Sequence, residues 1–144
     1  MTKWVAFFAI VSMTVLYGAE HSFVHPHSEI KEFSMFGNIY KALSTKAMGA
    51  KEFEVWRSTL NVGSKTPRHV HETEEVFILL KGRIKAIIGS EEVDCIAPTT
   101  LICPAHIPHQ LINVGDEPTE QIAIMGIDSK ICDASNKEMA IPWR

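Results

Sequence analysis

Several signals are missing from this 144-residue chain, and each absence narrows what it does. No basic run stands out and the formal net charge is −3, which points away from nucleic acid as a partner. No internal repeat or low-complexity tract interrupts it, and 46% hydrophobic with 22% charged residues is the make-up of one small globular domain. Cysteine is scarce: Cys95, Cys103 and Cys132 allow at most one internal bridge and form no C-x-x-C, which excludes a zinc knuckle. Cys95 and Cys103 read instead as small buried hydrophobes in strands. There is no N-x-S/T glycan acceptor. Helical signal is equally thin, confined to EIKEFSMF (29–36) and SNKEMA (135–140).

What is present begins with an apolar run. Lys3 precedes Trp4 to Tyr17, broken only by Ser12 and Thr14 and ending in Gly18-Ala19. The run is too short for a comfortable membrane span and reads as a secretory signal peptide over 1–19, with a domain over 20–144. An uncleaved anchor or a buried first strand is the alternative. Cleavage places the protein in the secretory pathway, secreted or lumenal (periplasmic in a bacterium), with no stable membrane span. HSFVHPH, with His21, His25 and His27, then reads as a solvated leader able to take up metal adventitiously.

From about Lys51 the chain reads as short strands broken by turns: KEFEVWRSTL, EVFILL, RIKAII, VDCIAP, TTLICP, HQLINV and TEQIAIMGI. EVFILL is apolar on both faces after Glu75, as in a strand covered by two layers. Many short strands at this spacing predict an all-β antiparallel sandwich or barrel.

Within that pattern His69, His71 and Glu75 share one parity, which predicts all three on one face of a single strand. Two imidazoles and a carboxylate converging there form a ligand set for a divalent cation. HQLINV offers His109 as the fourth ligand; His106, in the preceding turn, is a rival that parity disfavours. Three neutral imidazoles and one carboxylate around a divalent ion leave a net charge near plus one and about two coordination positions open. A small aromatic carboxylate suits such a pocket, its acid group on the metal and its ring against aromatic walls. With iron, manganese, copper or nickel the same cage supports a dioxygenase, oxidase or isomerase acting on a small organic acid. A zinc ion that merely clamps a barrel is the third reading.

Gly63-x5-His69-x-His71-x3-Glu75-x6-Gly82 resembles the first cupin motif, and Pro104, His109 and Asn113 resemble the second, with Pro98 and His106 standing where glycines are usual. The resemblance implies a single-domain cupin, a double-stranded β-helix or jelly-roll barrel, with its core at about 47–130. KEFEVWRSTL, TPRHVHETEEVFILLKG and PAHIPHQLINVGDEPTEQ are more narrowly similar to the plant auxin-binding proteins, over roughly 47–127. That likeness implies a zinc ion on His69, His71, Glu75 and His109, and a ligand pocket lined by Trp56, Thr66, Pro67 and Phe77, with Trp143 as a second pocket indole. It also implies a homodimer, for which the apolar outer face of EVFILL supplies a physical motive.

Overall fold

Alternation of apolar and polar residues governs the architecture, which a computed structural model describes for residues 23–144. Residues 1–19, read above as a signal peptide, and His21 lie outside the described residues. Eleven strands appear: β1 (Glu32–Met35), β2 (Asn38–Ser44), β3 (Phe53–Leu60), β4 (His69–His71), β5 (Glu75–Lys81), β6 (Arg83–Ile88), β7 (Glu91–Ile96), β8 (Thr99–Cys103), β9 (His109–Asn113), β10 (Thr119–Gly126) and β11 (Ile131–Asp133). Among the described residues the helical content is one 3-10 turn, Lys46–Met48. The strands form two antiparallel sheets, ordered β1-β2-β3-β10-β5-β8 and β11-β4-β9-β6-β7. Side chains of one parity from both sheets meet between them: Trp56, Leu60, Phe77 and Leu79 from the larger sheet, Ile84, Ala86 and Leu111 from the smaller. This is the all-β jelly-roll architecture, two antiparallel sheets as the strand spacing predicts.

Both helical expectations give way to strand and turn. In 29–36, Phe33 and Met35 are half-buried while Glu32 and Ser34 are exposed, a period of two that makes β1. Phe36 and Gly37, at φ 54° and 76°, turn the chain back into β2, a two-residue link in the left-handed conformation that suits strand twist. In 135–140 the Asp133 carboxylate accepts from the Ser135 and Lys137 backbone N–H groups at 2.8 and 3.0 Å, holding a turn instead of a helix.

Two further readings change. EVFILL is covered on one side only: Glu75, Phe77 and Leu79 are buried, Val76 and Ile78 are half-buried, and Leu80 is 51% exposed. The single strand predicted through His69, His71 and Glu75 is in fact two strands in different sheets. The chain bends at 72–74 between β4 and β5. Thr73 fixes that bend: its N–H donates to Ser129 Oγ at 3.2 Å, and its Oγ1 accepts from the Gly126 N–H at 3.1 Å.

The last motif glycine earns its place sterically. Gly82 has φ 86°, and a Cβ there would lie 2.9 Å from Thr119 Cγ2. Cys95 and Cys103 are buried on strands, as expected, while Cys132 is half-buried.

Residues beyond β11 run as a strap across one side of the barrel. Trp143 is buried with its ring 4.8 Å from that of Trp56, 5.4 Å from Tyr40 and 5.5 Å from Phe33. Arg144 completes the attachment: Nε donates to the buried Glu54 carboxylate at 3.0 Å and Nη1 to the Ser129 carbonyl at 2.7 Å.

Candidate metal centre and its cavity

The smaller sheet supplies three imidazoles and the larger supplies one acid. His69 pairs with His109 across β4 and β9, His71 lies two residues along the same face, and Glu75 starts β5 opposite Met125. One potential ligand atom from each of His69, His71, Glu75 and His109 lies within 4.8 Å of the others. Crossing between sheets therefore achieves the convergence expected of a single strand face. His106 stands outside the cluster: it is exposed, at φ 63° in the left-handed turn before β9, and its backbone N–H donates to the His71 carbonyl at 2.9 Å.

The tautomers of the three rings decide what the cluster can hold. Each Nδ1 faces a backbone carbonyl two residues away: Pro67 for His69 at 2.9 Å, Thr73 for His71 at 2.8 Å, Ile107 for His109 at 3.0 Å. A carbonyl only accepts, so each Nδ1 carries the proton and each neutral ring presents the Nε2 lone pair to the centre. Those lone pairs surround Glu75 Oε2, 2.9 Å from His71, 3.1 Å from His109 and 3.9 Å from His69. Acceptors this close repel one another unless a cation lies among them. A proton serves one pair; a divalent ion serves all four groups at once. Ligands at ~2.1 Å and at right angles around one ion stand ~3 Å apart, the separation His71 and His109 keep from Glu75. The donor set fits a divalent metal.

Charge tuning agrees. Burial works against ionisation of Glu75, yet the His109 and His71 imidazoles set against its carboxylate outweigh it and bring its pKa to about 2. Burial brings His69 down to about 4, so its ring is neutral and available as a ligand at physiological pH. His71 is also penalised by burial, but the Glu75 carboxylate more than offsets this and raises its proton affinity. Cys103 is pushed up to about 12, first by burial and then by the Glu75 charge, which keeps it a thiol beside the cluster.

The cluster opens onto a narrow, mostly apolar cavity of about 50 Å³. Trp56, Thr66, Pro67 and Phe77 line it together with His69 and Glu75. Trp143 does not line it and instead backs Trp56. Tyr40, Gln121, Met139 and Ile141 line it as well and were not anticipated. For Gln121 the signal was present: it shares the inward parity of Thr119, Ala123 and Met125. Tyr40, Met139 and Ile141 belong to segments whose fold was misread or left unread, so no parity argument reached them.

The family model described as cupin domain matches residues 56–125. The chain is also similar to plant auxin-binding proteins: it is 38% identical to auxin-binding protein 4 of Zea mays over 88 residues, covering 55% of this chain and 43% of that protein. The chain thus matches less than half the length of that relative. Among solved structures it resembles the polyketide cyclase RemF of Streptomyces resistomycificus, with TM-score 0.66 at 16% identity, covering 77% of this chain and 83% of that one. It also resembles a protein of Thermotoga maritima described as a predicted oxalate decarboxylase, with TM-score 0.60 at 26% identity, covering 72% of this chain and 98% of that one. Among the described residues, no helix is long and apolar enough to cross a membrane.

Proposed function

We propose that this protein binds a small aromatic carboxylate on a zinc ion held by His69, His71, Glu75 and His109. The observation that carries the reading is the ring of Nε2 lone pairs around Glu75 at the floor of a largely apolar cavity. A divalent ion there retains residual positive charge and open positions, and an acid oxygen takes one of them. The ring of the ligand lies against Trp56 and Phe77, which bury its area. The likeness to auxin-binding proteins supports an acid of the auxin type. Titration calorimetry on metal-loaded protein tests this: indole-3-acetate should bind at least tenfold more tightly than indole-3-acetamide, and equal affinities would refute carboxylate ligation.

A cupin metalloenzyme acting on a small organic acid is the second reading, favoured by the names of the two solved neighbours. The cavity wall speaks for binding instead. Among the described residues that line it beyond the ligand set, the titratable group is Tyr40, whose phenol burial raises to about 12, which makes it a hydrogen-bonding group at neutral pH. Elemental analysis with an oxygen-uptake assay separates the two: zinc without uptake supports the binder, and iron or manganese with uptake supports the enzyme.

The same proposal includes a homodimer and a secretory address. The outer face of the larger sheet exposes Phe53, Leu80 and Ile102 at 57%, 51% and 59%, an apolar surface that a second copy covers. A concentration-independent monomer in sedimentation would refute the dimer. N-terminal sequencing of the native protein should start near Glu20, and an intact Met1 would refute cleavage.

A further inference from the structure

The cavity wall holds buried polar atoms with no partner among the described residues. Gln121 is 1% exposed, and among the described residues neither its Oε1 nor its Nε2 meets a hydrogen-bond partner. The indole Nε1 of Trp56, also a lining residue, is buried without a partner too. Orphaned amide groups in an apolar wall are destabilising, and natural cores rarely retain them. A pair of unsatisfied groups on one cavity calls for an occupant.

The ladder places these groups relative to the metal cluster. In β10, Met125 faces Glu75, Ala123 faces both Trp56 and Phe77, and Gln121 faces Ser58 and Leu79. Gln121 therefore lies two inward layers beyond the cluster, about 13 Å along the strand. The intervening layer sets two large aromatic residues beside one small alanine, which leaves space for a flat ring. The cavity thus has three zones in order: a cation-binding floor, an aromatic slot and an amide at the far end.

The geometry points to Gln121 as a specificity residue that reads a hydroxyl on the ring of the bound acid, at the end away from the carboxylate. The assignment rests on the carboxylate-binding reading above and narrows its ligand class to hydroxyaryl acids. The donor and acceptor inventory selects the hydroxyl. Gln121 offers one acceptor oxygen and an NH2 donor, and Trp56 adds a donor. A hydroxyl both donates and accepts, so it can give its proton to Gln121 Oε1 while accepting from an N–H. A methyl group in its place leaves all of these groups unpaired, and sites built around a hydrogen bond reject such analogues strongly.

The test uses two acids of the same shape, 4-hydroxyphenylacetate and 4-methylphenylacetate, titrated by calorimetry into metal-loaded protein. Wild type should favour the hydroxy acid by tenfold or more. Gln121→Met, unbranched and of similar length, should lose or reverse that preference while retaining wild-type metal content. Equal binding of the two acids to wild type, or a preference for the methyl acid, overturns the role of Gln121 and leaves carboxylate binding standing. A Gln121→Met protein that keeps the wild-type preference overturns it equally. If neither acid binds wild type carrying its full metal load, this inference falls, and indole-3-acetate titrated in the same way decides whether the carboxylate reading falls with it. Gln121→Glu supplies a second variant: it keeps the acceptor, so it should still discriminate in favour of the hydroxy acid, and loss of discrimination there counts against the assignment.

Discussion

The two ends of the cavity treat polarity in opposite ways. At the metal-binding end every imidazole Nδ1 has a carbonyl, and the Nε2 atoms close around one carboxylate. Away from it, Trp56 in the aromatic layer and Gln121 at the far end keep buried polar atoms that no group among the described residues meets. The first end is organised by the fold before any ligand arrives. The second is organised to be completed by one. A binding pocket needs both, because preorganised charge supplies affinity while unpaired groups supply the penalty for the wrong occupant.

The largest effect should come from breaking the organised end. His71→Ala should weaken metal binding by more than ~100-fold, since losing even an outer partner of a ligand can cost that much. Thermal stability should fall with it, because metal binding and folding are linked. Metal analysis after dialysis and a melting curve check this, and full metal content in the variant would dismantle the centre.

Next comes the strap that closes the cavity. Arg144→Ala strips the partner from Glu54, which is 1% exposed, and should cost about 3 kcal/mol by denaturant titration, the low end for a broken buried pair. Metal content should persist, since the hydrogen bonds and ion pair of the Arg144 side chain go to Glu54, Ser129 and Met125 and to none of the four ligands. A change under about 0.5 kcal/mol would mean that the pair acts as a surface one.

The unsatisfied end sharpens the comparison from the other side. In ligand-free protein Gln121→Met should raise stability by about 1–2 kcal/mol, because it removes an unpaired buried amide and keeps the volume. A loss of stability there would show that the amide is already satisfied. The smallest effect belongs to His106→Ala, which should leave metal content unchanged. Loss of metal in that variant would return His106 to the ligand set.

Much of the metal end was legible in the sequence because strand parity and motif spacing act locally. His69, His71, Glu75 and His109 could be named from offsets alone. Their distribution over two sheets could not, since the bend at 72–74 contains neither glycine nor proline and is held by Thr73 through contacts with residues 126 and 129. The strand at 32–35 was hidden for a similar reason: its charged flank suggested helix, and the period of two in Phe33 and Met35 is short. Gln121 was visible as a polar residue at an inward position of an otherwise apolar strand. Its significance was not, because only the assembled barrel shows that nothing answers it.

The carbonyls that lock the three rings belong to Pro67, Thr73 and Ile107, and they are main-chain atoms. Every amino acid carries such an oxygen, so substitution at those sites can proceed without erasing the lock, provided the local path of the chain survives. The electronic state of the centre is thereby insulated from sequence drift. A lineage could exchange most of the surrounding side chains, and so change what it recognises, while inheriting the same cation seat intact.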